Sequence, residues 1–169
     1  GVSHLEGHIN SVFLEPDPPA FPFTALLASG GHTSIYHVTS HTQFDLMGQT
    51  REDAAGEAFD KVAKMIDLGY PGGPAIVRAA LDGNPEAIRF PRAIMDEGYD
   101  FSFSGLKTSV MNYVRKHPDV SSRDVAASFQ AAVVGAKRTL GSVEMAAQAK
   151  RKYDGDAGAY RAAFRVQLH

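Results

Sequence analysis

Two short apolar segments on either side of a diglycine constrain the fold of this chain more than any other feature. Residues 24–29 and 34–39 each have the pattern of a buried strand, and Gly30 and Gly31 lie between them. This spacing predicts an antiparallel hairpin, with a third strand over 43–49. Because helical segments follow these early strands, we predict an α/β or α+β layered fold.

Apolar residues at helical spacing predict the other elements. A first helix is expected within residues 3–14, before a proline-rich extended linker, and a mixed loop is expected over 83–103. The later helices are expected over Asp53–Asp67, after Pro74 to about Leu81, over Ser104–Lys116, and from Arg123 to about Lys152, with a break near Gly135 or Gly141 left open.

Composition excludes several classes of protein. The chain has 169 residues, enough for one domain with a core, and it has no cysteine for disulfides or thiolate metal sites. It shows no membrane-spanning run and no secretory signal, so we expect a cytoplasmic protein that does not bind a membrane. The net charge of −2 gives no overall attraction to nucleic acid. RNA contacts would therefore need local basic clusters, namely Lys61/Lys64, Arg115/Lys116 or Lys150–Lys152.

A histidine pair is the first candidate site. His4 and His8 are four residues apart in the first predicted helix and share one face, so both imidazoles could bind one cation. In H-E-x-x-H metalloproteases the glutamate directly follows the first histidine. Glu6 instead lies about 200° around the helix from both histidines, at about 100° per residue, which disfavours peptide hydrolysis. Taken alone, the pair is more typical of a surface feature, because a firm metal site needs a third ligand.

The diglycine turn and two later positions are candidate ligand contacts. Residues 29–31 offer a hydroxyl and backbone amides that could bind an anion, or the glycines could simply close the hairpin. His32 is either a turn residue or a ligand contact. Asp60 could accept hydrogen bonds from a substrate or could pair with Lys64 one helical turn later. The diglycine at 72–73 permits close backbone approach, although ordinary turn chemistry also explains it.

Five segments occur together in an order that is typical of one family. The segments are His4–His8, Leu27–Thr33, Asp53–Lys61, Tyr70–Pro74 and Asp100–Thr108. Over about residues 2–133 the chain resembles the tRNA N6-adenosine threonylcarbamoyltransferases, called TsaD in bacteria. The resemblance implies a partial ASKHA fold, related to actin, Hsp70 and sugar kinases, in which short strands are followed by helices.

The resemblance also implies which residues form the site. His4 and His8 match the ligands of one divalent metal ion, Fe²⁺ or Zn²⁺. The positions that match substrate-binding residues are Leu27, Ala28, Ser29, Gly30, Gly31, Asp60 and Gly73. No catalytic acid or base is assigned.

The family resemblance implies a reaction and partners. A threonylcarbamoyl group passes from threonylcarbamoyl-AMP to N6 of the adenosine beside the anticodon, in tRNAs reading codons that start with A. AMP is the leaving group. The family works with two further subunits, TsaB and TsaE.

The chain also departs from the family pattern. Residues 1–133 correspond to a central region with the metal helix, the substrate loop and a helical insert, and residues 134–169 are expected to form a divergent helical tail. Lys137 stands where a nucleoside-contacting asparagine is expected, and residues 154–158 only faintly resemble the segment of the third metal ligand. We therefore expect this chain alone to be inactive or nearly so. A non-catalytic TsaD-like interaction module is the alternative, and a metalloprotease is a weaker one.

Overall fold

The chain forms a small sheet followed by helices. The computed structural model describes residues 3–92, 99–140 and 162–166. The elements are α1 (His4–Asn10), β1 (Phe23–Ala28), β2 (Thr33–Ser40), β3 (Gln43–Gln49), α2 (Ala55–Met65), α3 (Gly72–Ala80), α4 (Ser104–Lys116), α5 (Ser122–Leu140) and β4 (Ala162–Val166). A 3₁₀ turn over Ser11–Leu14 continues α1. A mixed α/β fold is thus confirmed.

The sheet has the strand order β3-β2-β1-β4. The first three strands pair antiparallel, and Ala28 lies opposite Thr33 where β1 turns into β2, so the predicted hairpin and third strand are confirmed. β4 pairs parallel with β1. Residues 162–166 are therefore a strand, whereas we expected the tail to be helical. The fully buried β1 needs partners on both edges for its backbone N–H and C=O groups, and β4 supplies the second set.

The two faces of the sheet carry different helices. Ile9 of α1 packs with Phe23 and Val38 on one face. Leu26 and Ile35 belong to the larger core formed with the later helices. Because side chains alternate along a strand, α1 and α2 lie on opposite faces of the sheet.

The later helices pack into one core. Phe59 of α2 and Phe129 of α5 meet with ring centroids 5.0 Å apart. Ala58 and Val62, predicted to lie on the inner stripe of α2, are fully buried. The helices predicted from periodicity are confirmed, the last of them as far as Leu140, because burial of one apolar face stabilises each helix.

Part of the prediction for the tail lies outside the described residues. α5 continues through Gly135 without a break up to Leu140. The cluster Lys150–Lys152 and the segment 154–158 lie beyond the part that is described, as does Gly141. Among the described residues, no helix is both long and apolar enough to cross a lipid bilayer.

Candidate substrate site

The turn between β1 and β2 presents two free backbone donors. Ser29 N–H donates to the His32 carbonyl at 2.8 Å, and His32 N–H donates to Ser29 Oγ at 3.2 Å. The N–H groups of Gly30 and Gly31 donate no hydrogen bond within the described part of the chain, and both residues are exposed, as is His32. Leu27 and Ala28 lead into this turn as buried residues of β1. The turn can therefore receive an anion at its exposed amides.

Glycine at positions 30 and 31 is not required by the fold. Neither residue has a positive φ, because the turn closes through the bonds of Ser29 and His32 instead. A Cβ atom added at either position would meet no heavy atom within 4 Å. Neither backbone conformation nor packing thus explains why positions 30 and 31 are glycine. A ligand that approaches the backbone closely would explain it, because a side chain would stand in its way.

The turn rests on the first residues of α2. Gly56 N–H donates to the Ser29 carbonyl at 3.2 Å, and Ala55 N–H donates to Thr33 Oγ1 at 2.9 Å. A Cβ atom on Gly56 would lie only 2.7 Å from Gly30 Cα and 2.8 Å from the Ser29 carbonyl oxygen. This role of Gly56 was not predicted from the sequence, in which its only signal was a glycine in the first turn of a predicted helix.

Asp60 joins α2 to the start of α3. Its Oδ1 accepts a hydrogen bond of 2.7 Å from Gly72 N–H. A Cβ atom on Gly72 would lie 2.5 Å from Asp60 Cα, so Gly72 is needed for this approach. The alternative ion pair with Lys64 is not formed. Gly56 and Asp60 are four residues apart on one face of α2, so the turn and the residues around Gly73 pack side by side against that face.

A charged cluster beside this face connects α4 to α2. Asp53 accepts hydrogen bonds of 2.6 Å from both Lys61 Nζ and Lys107 Nζ. Lys61 also pairs with Glu57 at 2.8 Å. Burial opposes ionisation of Asp53, but the hydrogen bonds from Lys107 and Lys61 outweigh it and hold the pKa of the carboxyl below its usual value. The hydrogen bonds to Asp53 and then Glu57 raise the pKa of Lys61 to about 12.

Stability should fall in acid because of Asp53. A carboxyl whose pKa is lowered by folding stabilises the folded state above its ordinary pKa of 3.8, and this contribution is lost as the pH drops through the lowered value. At pH 7, Asp53→Asn should reduce the free energy of unfolding by about 1–3 kcal/mol. Urea unfolding between pH 7 and pH 3 should show a steeper loss in the native chain than in the variant. If the free energy of unfolding depended on pH equally in the native chain and in Asp53→Asn, this role of Asp53 would be contradicted.

The histidine pair fits a metal ion with two of its ligands. The Nε2 atoms of His4 and His8 are 2.7 Å apart, within hydrogen-bond distance of each other; His4 is exposed and His8 is half-buried. Metal–imidazole bonds are about 2.0–2.1 Å long and tetrahedral ligand atoms are then about 3.3 Å apart, so a small outward rotation of the two rings would let one ion contact both nitrogens. Glu6 points elsewhere, because its Oε2 accepts a hydrogen bond from Ser3 N–H at 3.1 Å. No group of three or more His, Cys, Asp or Glu side chains suited to a metal occurs in residues 3–92 and 99–140.

The predicted site residues therefore fall into two groups. Residues 29–31 and Asp60 are linked through α2, and Gly73 follows Gly72 as a buried residue in the first turn of α3. The histidine pair lies on α1, which packs on the opposite face of the sheet from α2. None of the hydrogen bonds of the described residues joins this pair to the turn or to Asp60.

Comparisons with known proteins agree on one family. A family model described as TsaD, tRNA N6-adenosine threonylcarbamoyltransferase, matches residues 1–153. Similar proteins of that name occur in Desulforapulum autotrophicum (61% identity over 137 residues, covering 79% of this chain and 41% of the relative) and Geobacter sp. strain M21 (54% over 149 residues, 85% and 43%). Another, from Clostridium beijerinckii, is 50% identical over 144 residues, covering 82% and 42%. The chain thus spans about two fifths of the length of these curated relatives.

Proposed function

Because this chain belongs to the TsaD family of tRNA N6-adenosine threonylcarbamoyltransferases, we propose that it supplies the substrate loop and two metal ligands for threonylcarbamoyl transfer to tRNA. The observation that carries the proposal is the pair of glycines at 30 and 31, which have free amides and no structural reason to be glycine. Family membership supports the ASKHA architecture and the partners TsaB and TsaE.

The substrate loop of the proposal is Leu27–Gly31. The amides of Gly30 and Gly31 would bind the phosphate of threonylcarbamoyl-AMP and stabilise the negative charge on AMP as it leaves. Leu27 and Ala28 would fix the loop through their burial in β1, and Ser29 would hold its shape through its hydrogen bonds to His32. Gly56 supports this loop from below, so the amides are preorganised rather than ordered by the substrate.

Asp60 and Gly73 would bind the nucleoside part of the substrate. Gly72 N–H holds Asp60 Oδ1, whereas Oδ2 accepts no hydrogen bond within the described residues. A carboxylate fixed by one oxygen can accept a ribose or threonyl hydrogen bond with the other at little cost in side-chain entropy. Gly73, buried in the first turn of α3, would place its backbone beside the substrate.

His4 and His8 would hold the metal ion that members of this family bind. When bound, a divalent ion such as Fe²⁺ or Zn²⁺ would polarise the threonylcarbamoyl carbonyl. The two imidazoles are suited to either metal. Further ligands are proposed to come from parts of the family that this chain does not span.

The proposed reaction is an acyl transfer. The N6 amine of the adenosine attacks the carbamoyl carbon, the bond from that carbon to the adenylate oxygen breaks, and N6 loses a proton as AMP leaves. An aromatic amine is a weak nucleophile, so positioning by Asp60 and the loop would supply much of the rate. Peptide hydrolysis is disfavoured because Glu6 caps α1 instead of facing the histidines.

A chimera tests the proposal directly. The matched 137-residue segment of the Desulforapulum relative would be replaced by the corresponding residues of this chain. With tRNA, threonylcarbamoyl-AMP, TsaB and TsaE, the chimera should form threonylcarbamoyladenosine in tRNA, detected by mass spectrometry of nucleosides, and the isolated chain should form little or none. A folded but inactive chimera would reject the proposal. Capture of TsaB or TsaE without transfer would favour the interaction module.

A further inference from the structure

Tyr70 is the most unusual side chain beside the proposed site. It is 85% exposed, which is rare for a large aromatic side chain. It lines an open pocket of about 510 Å³ together with Asp60, Lys61, Lys64, Asp67 and Gly69. This pocket adjoins the carboxylate to which the proposed function assigns the nucleoside.

The backbone holds Tyr70 in place at the rim of this pocket. Asp67 and Gly69 have φ values of 56° and 84°, and these two left-handed residues turn the chain sharply after α2. Leu68 N–H closes the helix end by donating to the Ala63 carbonyl at 2.9 Å. The next element, α3, begins two residues after Tyr70. The ring is therefore presented on a defined turn between two helices.

The charges of the pocket leave one cation available. Lys61 is held by Asp53 and Glu57. Lys64 forms no hydrogen bond or ion pair with any residue that the structure describes. A flat aromatic surface beside a free ammonium group matches a nucleobase, which has a planar π-face and hydrogen-bond acceptor atoms on its edge.

We propose that Tyr70 is a stacking residue for a nucleobase at this pocket and that the Lys64 ammonium donates a hydrogen bond to an acceptor atom on the edge of that base. The inference rests on the proposed function and extends it to two residues that the family resemblance did not assign. The base has two sources with the same chemistry, namely the adenine of the adenylate and a base of the tRNA anticodon loop. Stacking on an aromatic ring suits either source because every base has a π-face.

The test compares three variants of the full 169-residue chain. Tyr70→Ala should weaken binding of AMP, of an anticodon stem–loop RNA with adenosine 3′ to the anticodon, or of both, by about tenfold. Tyr70→Phe keeps the ring and should bind like the native chain. Leu81→Ala is the matched control, because Leu81 is similarly exposed at 81% but does not line the pocket. Calorimetry for AMP and anisotropy for labelled RNA give the affinities.

Fluorescence gives a readout that a purely structural role would not move. The chain has six tyrosines and no tryptophan, so a stacked base should quench part of the tyrosine emission in the native chain, and less in Tyr70→Phe. A loss confined to AMP assigns the adenylate base, and a loss confined to RNA assigns a tRNA base. The inference is overturned if the native chain binds neither probe, if Tyr70→Ala binds both normally, or if Tyr70→Phe is as weak as Tyr70→Ala.

The two proposals can fail separately. If the chimera transfers threonylcarbamoyl equally well with tyrosine or alanine at position 70, the proposed function stands and the stacking role is lost. If Tyr70 is required for binding but the chimera forms no modified tRNA, the pocket is a nucleotide site and the transfer proposal fails.

Discussion

Replacing His8 with alanine should reduce the affinity for Zn²⁺ or Fe²⁺ by about 100-fold or more, because loss of even an outer partner of a metal ligand costs about 10–100-fold. The Nε2 atoms of His4 and His8 are 2.7 Å apart, so the single variant removes half of a converging pair. Isothermal titration of the isolated chain measures the affinity. In the chimera the same change should lower threonylcarbamoyl transfer by a similar factor.

Glu6→Gln is the matched control for the histidine variant. Glutamine can also accept the hydrogen bond from Ser3 N–H that now reaches Glu6, so α1 should keep its N-terminal cap. Metal affinity and transfer should therefore stay at the native level. Casein digestion that requires Glu6 would instead support the metalloprotease alternative. Unchanged metal affinity in His8→Ala would remove α1 from the metal site.

Features that depend on neighbours in sequence could be predicted from the chain alone. The strands around Gly30–Gly31 follow from two short apolar segments, and α2 follows from the 3.6-residue spacing of its apolar side chains. The convergence of His4 and His8 is of the same kind, because a spacing of four residues on a helix fixes their common face.

Features that depend on distant segments could not be predicted in this way. Lys107 reaches Asp53 across 54 residues, and Gly72 reaches Asp60 across 12, so no local periodicity reports either contact. Residues 162–166 were expected to be helical but form β4. Their pairing with β1 is decided by the free edge of a distant strand, which the local sequence does not report. Tyr70 illustrates the same limit, since its sequence motif gave no sign that the ring would remain exposed.

The glycines of the turn and of α2 should respond to alanine in opposite ways. At Gly31 the added methyl group meets open space and φ is ordinary, so the free energy of unfolding should stay equal or rise slightly. At Gly56 it would lie 2.7 Å from Gly30 Cα. Overpacking costs about 1–3 kcal/mol and the contacted atoms are backbone, which outweighs a gain of about 1 kcal/mol in helix propensity. Urea unfolding of both variants measures the difference.

Threonylcarbamoyl transfer by the chimera should also respond differently to Gly31→Ala and Gly56→Ala. Gly31→Ala should lower transfer by about tenfold or more, since the methyl group stands where the phosphate would approach and one lost charge-assisted hydrogen bond is worth about 1.5–3 kcal/mol. In Gly56→Ala the added methyl group would push the turn away from α2. Transfer should therefore fall only to the extent that the amides of Gly30 and Gly31 are moved. A stable Gly31→Ala chimera with native transfer would show that no ligand approaches this turn. The free amides of Gly30 and Gly31 would then be ordinary solvent-facing groups, and the substrate loop would have to be sought elsewhere on the α2 face.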